Sequence, residues 1–335
     1  MHTLLKRLAK KPLHWLASQY FHYSLTPQSP QLRVLMYHRI LPKQDSRYST
    51  EEPGMIVEAD TFKQHLKLIK QHLTPIHLSE WIDRQQKGLS LPKNACAITF
   101  DDGWADNYEY AYPVIKDQQV PVTLFVVSDM IGTDRQFWPN QVNQLLMNNP
   151  INDLKTLDWL RPHLSSTGNL REASSYTIKQ LKQFSDEQIY RWLTHLPNQI
   201  KPETNTSSAN QGLMNWEQLI TMSKNDLVEV GSHTCNHYRL NSTLDKQALS
   251  NEVINSKRLL QDKLSQDINL FCYPNGDTCK QAIDLVQAHY KAAVTTQQGI
   301  NKANILQPYT LNRIGIHQDQ SDSDMLFKAR LANWF

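Results

Sequence analysis

A strand–helix–strand rhythm constrains this chain more than any other feature. LPKNACAITF (91–100) is a run of small, branched and aromatic apolar residues, NYEYAYPVIKDQQ (107–119) is helical in pattern, and VPVTLFVV (120–127) is apolar again. Strands joined through a helix run parallel, and strands this apolar are covered on both faces. The same reading makes strands of RVLMYHRI (33–40), LVEVGSH (227–233), INLFCYP (268–274), KAAVTT (291–296) and LNRIGIH (311–317), with helical spacing between several of them. At 335 residues the chain has room for one α/β barrel, about 250 residues as a rule, plus an insertion. The insertion is expected over 133–215, where the rhythm stops and the sequence turns polar, ending in LPNQIKPETNTSSANQG.

The apolar fraction of 40% supports a sizeable core. A formal charge of +3, from 35 basic and 32 acidic residues, is too balanced for a nucleic-acid partner. Cys96, Cys235, Cys272 and Cys279 show no CxxC spacing and read as buried free thiols. Residues 1–31 open with a basic amphipathic stretch in which Lys6, Arg7, Lys10 and Lys11 alternate with leucines. Its apolar runs are too short for a signal peptide core or a spanning helix. A surface helix and peripheral contact with an anionic membrane both fit it, and a cytoplasmic location, at most at the inner membrane face, is the expectation.

Polar residues with chemistry follow the strands: His38, Asp101, Asp102, His233 and Tyr273. In α/β barrels the carboxyl ends of the strands form one active face, so these residues can converge. GSHTCNH sets His233 and His237 four apart, a spacing that lets both rings bind one cation. The adjacent carboxylates of TFDDG are costly unless one binds that cation, which leaves the other to act as a base. Two imidazoles and a carboxylate suit zinc; cobalt, nickel and ferrous iron take the same ligands.

TFDDG (99–103) followed by HTCNH (233–237) resembles the signatures of the polysaccharide deacetylases of carbohydrate esterase family four. FCYPNG (271–276) is similar to that family's third motif. The resemblance runs over 32–335, the insertion excepted, and implies a distorted (β/α) barrel of the NodB-homology type, with the insertion lying before the His-x-x-x-His motif. It implies metal-dependent hydrolysis of N-acetyl groups on a polysaccharide or lipid-linked glycan. Asp101 then matches the general base, and Asp102, His233 and His237 match the ligands of a divalent metal, zinc first, with cobalt or nickel as alternatives. VLMYHRI resembles the branch that acts on poly-N-acetylglucosamine, in which an early histidine is the general acid. That favours His38 over the late candidate His317. Trp104, Tyr273, Pro274 and Gly276 are expected to contact the sugar, since aromatic faces suit sugar rings. About half of Trp104, Tyr108, Tyr110, Trp138, Trp216, Tyr238 and Tyr273 are expected in the core. One departure stands out: the third motif lacks the arginine that orients the base in many members, with Leu270, Phe271 and Cys272 in its place. A deacylase of a small amide and a silent carbohydrate-binding module are the competing readings.

Overall fold

The computed structural model describes residue 16 and residues 19–165, 170–198, 200 and 212–334. Residues 1–15 of the basic N-terminal segment, and 201–211 at the end of the insertion, lie outside the described residues.

Seven strands close into a barrel: β1 (Gln31–Tyr37), β2 (Asn94–Phe100), β3 (Val122–Val126), β4 (Val228–Ser232), β5 (Leu270–Cys272), β6 (Ala292–Gln298) and β7 (Leu311–Gly315). Each pairs in parallel with the next in chain order, and β7 and β2 both pair with β1, which completes the ring. The closure is uneven. β4 meets β5 at one residue pair, Ser232 with Phe271, while β1 runs beside β2 for seven. The parallel pairing is what the alternating pattern predicts, and the distorted (β/α) barrel is what the family resemblance implies.

Period-two alternation decides what fills the barrel. Leu32 and Val34 on β1, Ala95 and Ala97 on β2, Phe125 on β3, Leu270 and Cys272 on β5, Val294 on β6 and Leu311 on β7 form one buried cluster. Gly231 on β4 leaves room for the Phe125 ring, since a Cβ there would lie 2.5 Å from Cε1. The opposite parity, with Leu35, Tyr37, Cys96, Ile98 and Phe100, packs against surrounding helices such as Ala59–His72, whose Phe62, Leu66 and Ile69 are buried. Carried upward, the inward parity reaches His38, Thr99, Asp101, His233 and Arg313, which share the carboxyl end of the barrel.

Between β3 and β4 the chain forms the helices Trp138–Asn148, Ile151–Leu154, Leu170–Leu181 and Asp186–Thr194. They enclose a hydrophobic cluster of their own, including Val142, Leu145, Leu160, Leu181 and Ile189. The stretch is therefore better packed than its polar composition suggests. Among the described residues, no helix is long and apolar enough to cross a membrane.

Candidate functional site

The two aspartates follow β2 directly. Strand alternation would send Asp102 to the far face, but its φ of 77° turns the chain so that both carboxylates serve the barrel mouth. A left-handed non-glycine residue costs about 1–2 kcal/mol, and aspartate tolerates it better than most. Both side chains are buried, so each needs partners.

Asp101 is held by Arg313 of β7 in a two-pronged ion pair, Nη1 to Oδ1 and Nη2 to Oδ2, both at 2.7 Å. Arg313 is fully buried and also donates to Thr99 Oγ1 and the Thr295 carbonyl. Burial alone would raise the Asp101 pKa; the Arg313 guanidinium overrides it and holds the carboxyl below its ordinary value. The Cys272 thiol packs beside the pair, 3.2 Å from Arg313 Nη2 and 3.6 Å from Asp101 Oδ2. The arginine absent from the third motif thus has a counterpart on the last strand. The only sequence signal for it was a charge inside the apolar run LNRIGIH.

His38, just past β1, brings Nε2 to 3.8 Å from Asp101 Oδ2. Its carbonyl accepts from Asn107 Nδ2, and next to it Arg39 and the Ile40 N–H bind the buried Asp106. His317 is placed otherwise. Its Nδ1–H donates to the Gly54 carbonyl, and burial lowers its pKa.

Asp102, His233 and His237 form the second half. Nε2 of each histidine lies 3.5 Å from Asp102 Oδ1. His233 donates Nδ1–H to the Cys272 carbonyl at 2.8 Å, which turns Nε2 to the cluster. Burial would lower the His233 pKa, but Cys272 and the Asp102 carboxylate override this and hold it well above its ordinary value, so a cation bound there displaces a proton. Trp104 Nε1–H binds Asp102 Oδ2 at 2.8 Å and leaves Oδ1 free. Burial pushes the His237 pKa down to about 3, so this ring is neutral, as a metal ligand must be. Burial would raise the Asp102 pKa, but the hydrogen bond with His233 outweighs it and keeps the group ionised.

These three donors fit a divalent metal. Ligand bonds of about 2.0–2.2 Å in a tetrahedron put neighbouring donor atoms about 3.4 Å apart, close to the separations here. A second cluster, Asp101, His233 and Cys272, also has its atoms within 4.8 Å. It fits poorly, because the Arg313 charge already occupies the Asp101 carboxylate.

Three expected sugar contacts need correction. Trp104 is 5% exposed, with Arg39 4.2 Å over one face and Phe137 against it at 5.3 Å. Tyr273 and Pro274 are buried as well. None of these residues offers an open face to a ligand; Trp104 instead orients Asp102. Gly276 is partly exposed and turns the loop at a φ of +73°, where a Cβ would collide with Thr296. Of the seven aromatics singled out, Trp104, Trp138 and Tyr273 are buried, while Tyr108, Tyr110, Trp216 and Tyr238 keep some exposure.

Comparison with known proteins bears on the family and the fold. A family model described as polysaccharide deacetylase matches residues 88–201 and 199–293. YxkH of Bacillus subtilis (strain 168) is 27% identical over 174 residues, 50% of this chain and 56% of its own. A poly-beta-1,6-N-acetyl-D-glucosamine N-deacetylase of Staphylococcus aureus (strain MSSA476) is 26% identical over 181 residues, 52% of this chain and 60% of its own. The matched stretches span less than two thirds of either relative. Among solved structures, the Streptococcus pyogenes deacetylase PplD in complex with acetate aligns with a TM-score of 0.59 at 20% identity, covering 90% of this chain and 99% of that one. IcaB from Ammonifex degensii gives 0.58 at 18%, with 90% and 98% covered. At such identities the likeness is one of fold.

Proposed function

The chain belongs to the polysaccharide deacetylase family, and from that premise we propose that it hydrolyses N-acetyl groups on a sugar of a polysaccharide or lipid-linked glycan, releasing acetate. One observation carries this reading. A carboxylate fixed by an arginine and reached by a histidine stands one residue from a three-donor cluster. Two nitrogens and one oxygen from protein leave open positions, the pattern of catalytic zinc sites, and cobalt or nickel would also suit the set. A divalent metal held by Asp102, His233 and His237 would supply a Lewis acid that polarises the acetyl carbonyl and acidifies water.

The remaining steps fall to the chain's own side chains. Asp101, kept ionised by Arg313, orients the attacking water and takes its proton as the new C–O bond forms. Its depressed pKa makes it a weak base at rest, so its value lies in fixed placement. His38 faces the same carboxylate and keeps 18% of its side chain exposed, so substrate can reach it. Its imidazole gives a proton to the amide nitrogen as the C–N bond breaks, so the sugar leaves as a neutral amine. His317 is less suited, because its Nδ1–H is committed to Gly54. The basic stretch within residues 1–31 would bring such an enzyme to an anionic membrane surface, where lipid-linked sugars lie.

The test is acetate release from N-acetylglucosamine oligomers by the wild type, His38→Ala and His317→Ala. The reading expects release by the wild type, a fall of about 100-fold or more in His38→Ala, and little change in His317→Ala. Equal losses in both variants would remove His38 from its role. No release from oligomers, with cleavage of small amides instead, would overturn the substrate class.

A further inference from the structure

The insertion grips the loop that carries His237. Phe137, at the start of its first helix, lies against the His237 ring with centroids 4.8 Å apart. Asp186, the first residue of its last helix, is 3% exposed, and its carboxylate gathers three donors. Trp138 Nε1 binds Oδ1 at 2.7 Å, the Arg239 backbone N–H binds Oδ2 at 2.7 Å, and Arg239 Nε lies 3.0 Å from Oδ1. The other two arms of the guanidinium donate to the carbonyls of Lys182 and Phe184, each at 2.6 Å. Arg239, itself 3% exposed, therefore spends its Nε, Nη1 and Nη2 on the corner between two insertion helices.

Arg239, which binds this corner, sits two residues past His237, whose φ is 60°. A left-handed histidine does not hold that shape unaided, so its neighbours must fix it. The His233 end of the motif, where Thr234 is also left-handed at φ 67°, is held by the barrel strands instead. Its backbone N–H binds the Val126 carbonyl of β3, and its ring is set by Cys272 on β5.

We propose that Asp186 and Arg239 are positioning residues for the metal site, through which the insertion holds His237 at the spacing a cation requires. The proposal rests on reading Asp102, His233 and His237 as that site. On this view the insertion belongs to the working centre, and loosening its corner releases one ligand of three. Partners that orient metal ligands are worth about 10–100-fold in metal affinity when removed.

The experiment measures zinc affinity of the purified full chain by chelator competition, and the visible absorption of the cobalt-loaded protein. It compares the wild type with Asp186→Asn, Phe137→Leu and Leu145→Ala. Asp186→Asn keeps the shape of the side chain and removes the charge. Phe137→Leu removes the ring against His237. Leu145→Ala loosens the insertion core without touching the clamp. Zinc affinity lower by about 10-fold or more in the first two, an altered cobalt band, and wild-type affinity in Leu145→Ala support the proposal. Wild-type affinity in Asp186→Asn and Phe137→Leu would overturn it, and so would an equal loss in all three. If Asp186→Asn does not fold, Phe137→Leu against Leu145→Ala decides alone. A wild-type protein that binds neither zinc, cobalt nor nickel would sink the metal reading itself, and the clamp with it.

Discussion

His233 and His237 stand four residues apart in one short motif, yet different regions of the molecule hold them. His233 directly follows strand β4, and its backbone N–H and ring Nδ1–H both donate to main-chain carbonyls of neighbouring strands. His237 lies on a loop beyond the barrel, with an insertion phenylalanine on its ring and an insertion carboxylate on the backbone two residues later. The barrel places groups by strand parity, which a sheet enforces at every residue. Around His237 the insertion adds a few buried side chains to the hold that Glu252, beyond β4, has on Asn236. A site divided in this way has one half that survives most surface changes and one half that depends on a small set of contacts.

The largest effect should come from the barrel half. Asp101→Asn removes the proton acceptor while leaving the cluster donors in place. Acetate release should fall by about 100- to 10,000-fold, with zinc affinity close to that of the wild type. A variant that lost metal and activity together would show the two halves to be less separate than the geometry indicates.

Arg313→Leu attacks the same half structurally. It strands a buried, ionised Asp101 inside the barrel, which should cost about 3–5 kcal/mol of global stability in urea unfolding. A loss under about 1 kcal/mol would mean that Asp101 finds water or another partner.

The barrel wall should also weaken in acid. His65 on the helix Ala59–His72 is fully enclosed; it accepts from Tyr37 OH, donates Nε2–H to the Ser321 carbonyl, and stacks on Phe327. Burial pushes its pKa down to about 4. The unfolded chain, with histidine near 6.5, binds more protons in between, so stability is full above about pH 6.5 and falls as pH drops toward 4. The total is about 3 kcal/mol, and a His65→Gln variant should show a flatter fall in its urea midpoint over that range. An unchanged slope would remove His65 from the account.

The smallest effect belongs to the insertion core. Leu145→Ala should lower the stability of the helices around it by about 2–3 kcal/mol, visible as faster amide exchange between residues 138 and 194. Exchange rising equally in β1 and β2 would show that the two regions unfold as one.

Much of the barrel half was legible in sequence. Strand-forming runs ended in residues with chemistry, and TFDDG and HTCNH each packed several site groups into a few positions. What escaped depends on distances that a linear pattern does not encode. Arg313 pairs with a residue 212 positions away. Its strand looked like any apolar strand carrying one charge. The apolar residues of the insertion follow helical spacing, but over helices of 4 to 12 residues set among polar turns, too short to stand out. Aromatic chemistry alone makes Trp104 and Tyr273 candidate sugar platforms. Composition alone does not say which side of a strand end a ring occupies, and here both rings turn into the protein.

The central claim is that one cation, held jointly by the barrel and the insertion, enables the deacetylation. The most direct measurement strips the protein with a chelator and follows acetate release from an N-acetylglucosamine oligomer while zinc or cobalt is returned stepwise. The account predicts no release from the stripped protein and a rise that levels off at one equivalent of metal per chain. Full release by the stripped protein, with no metal bound, would contradict it.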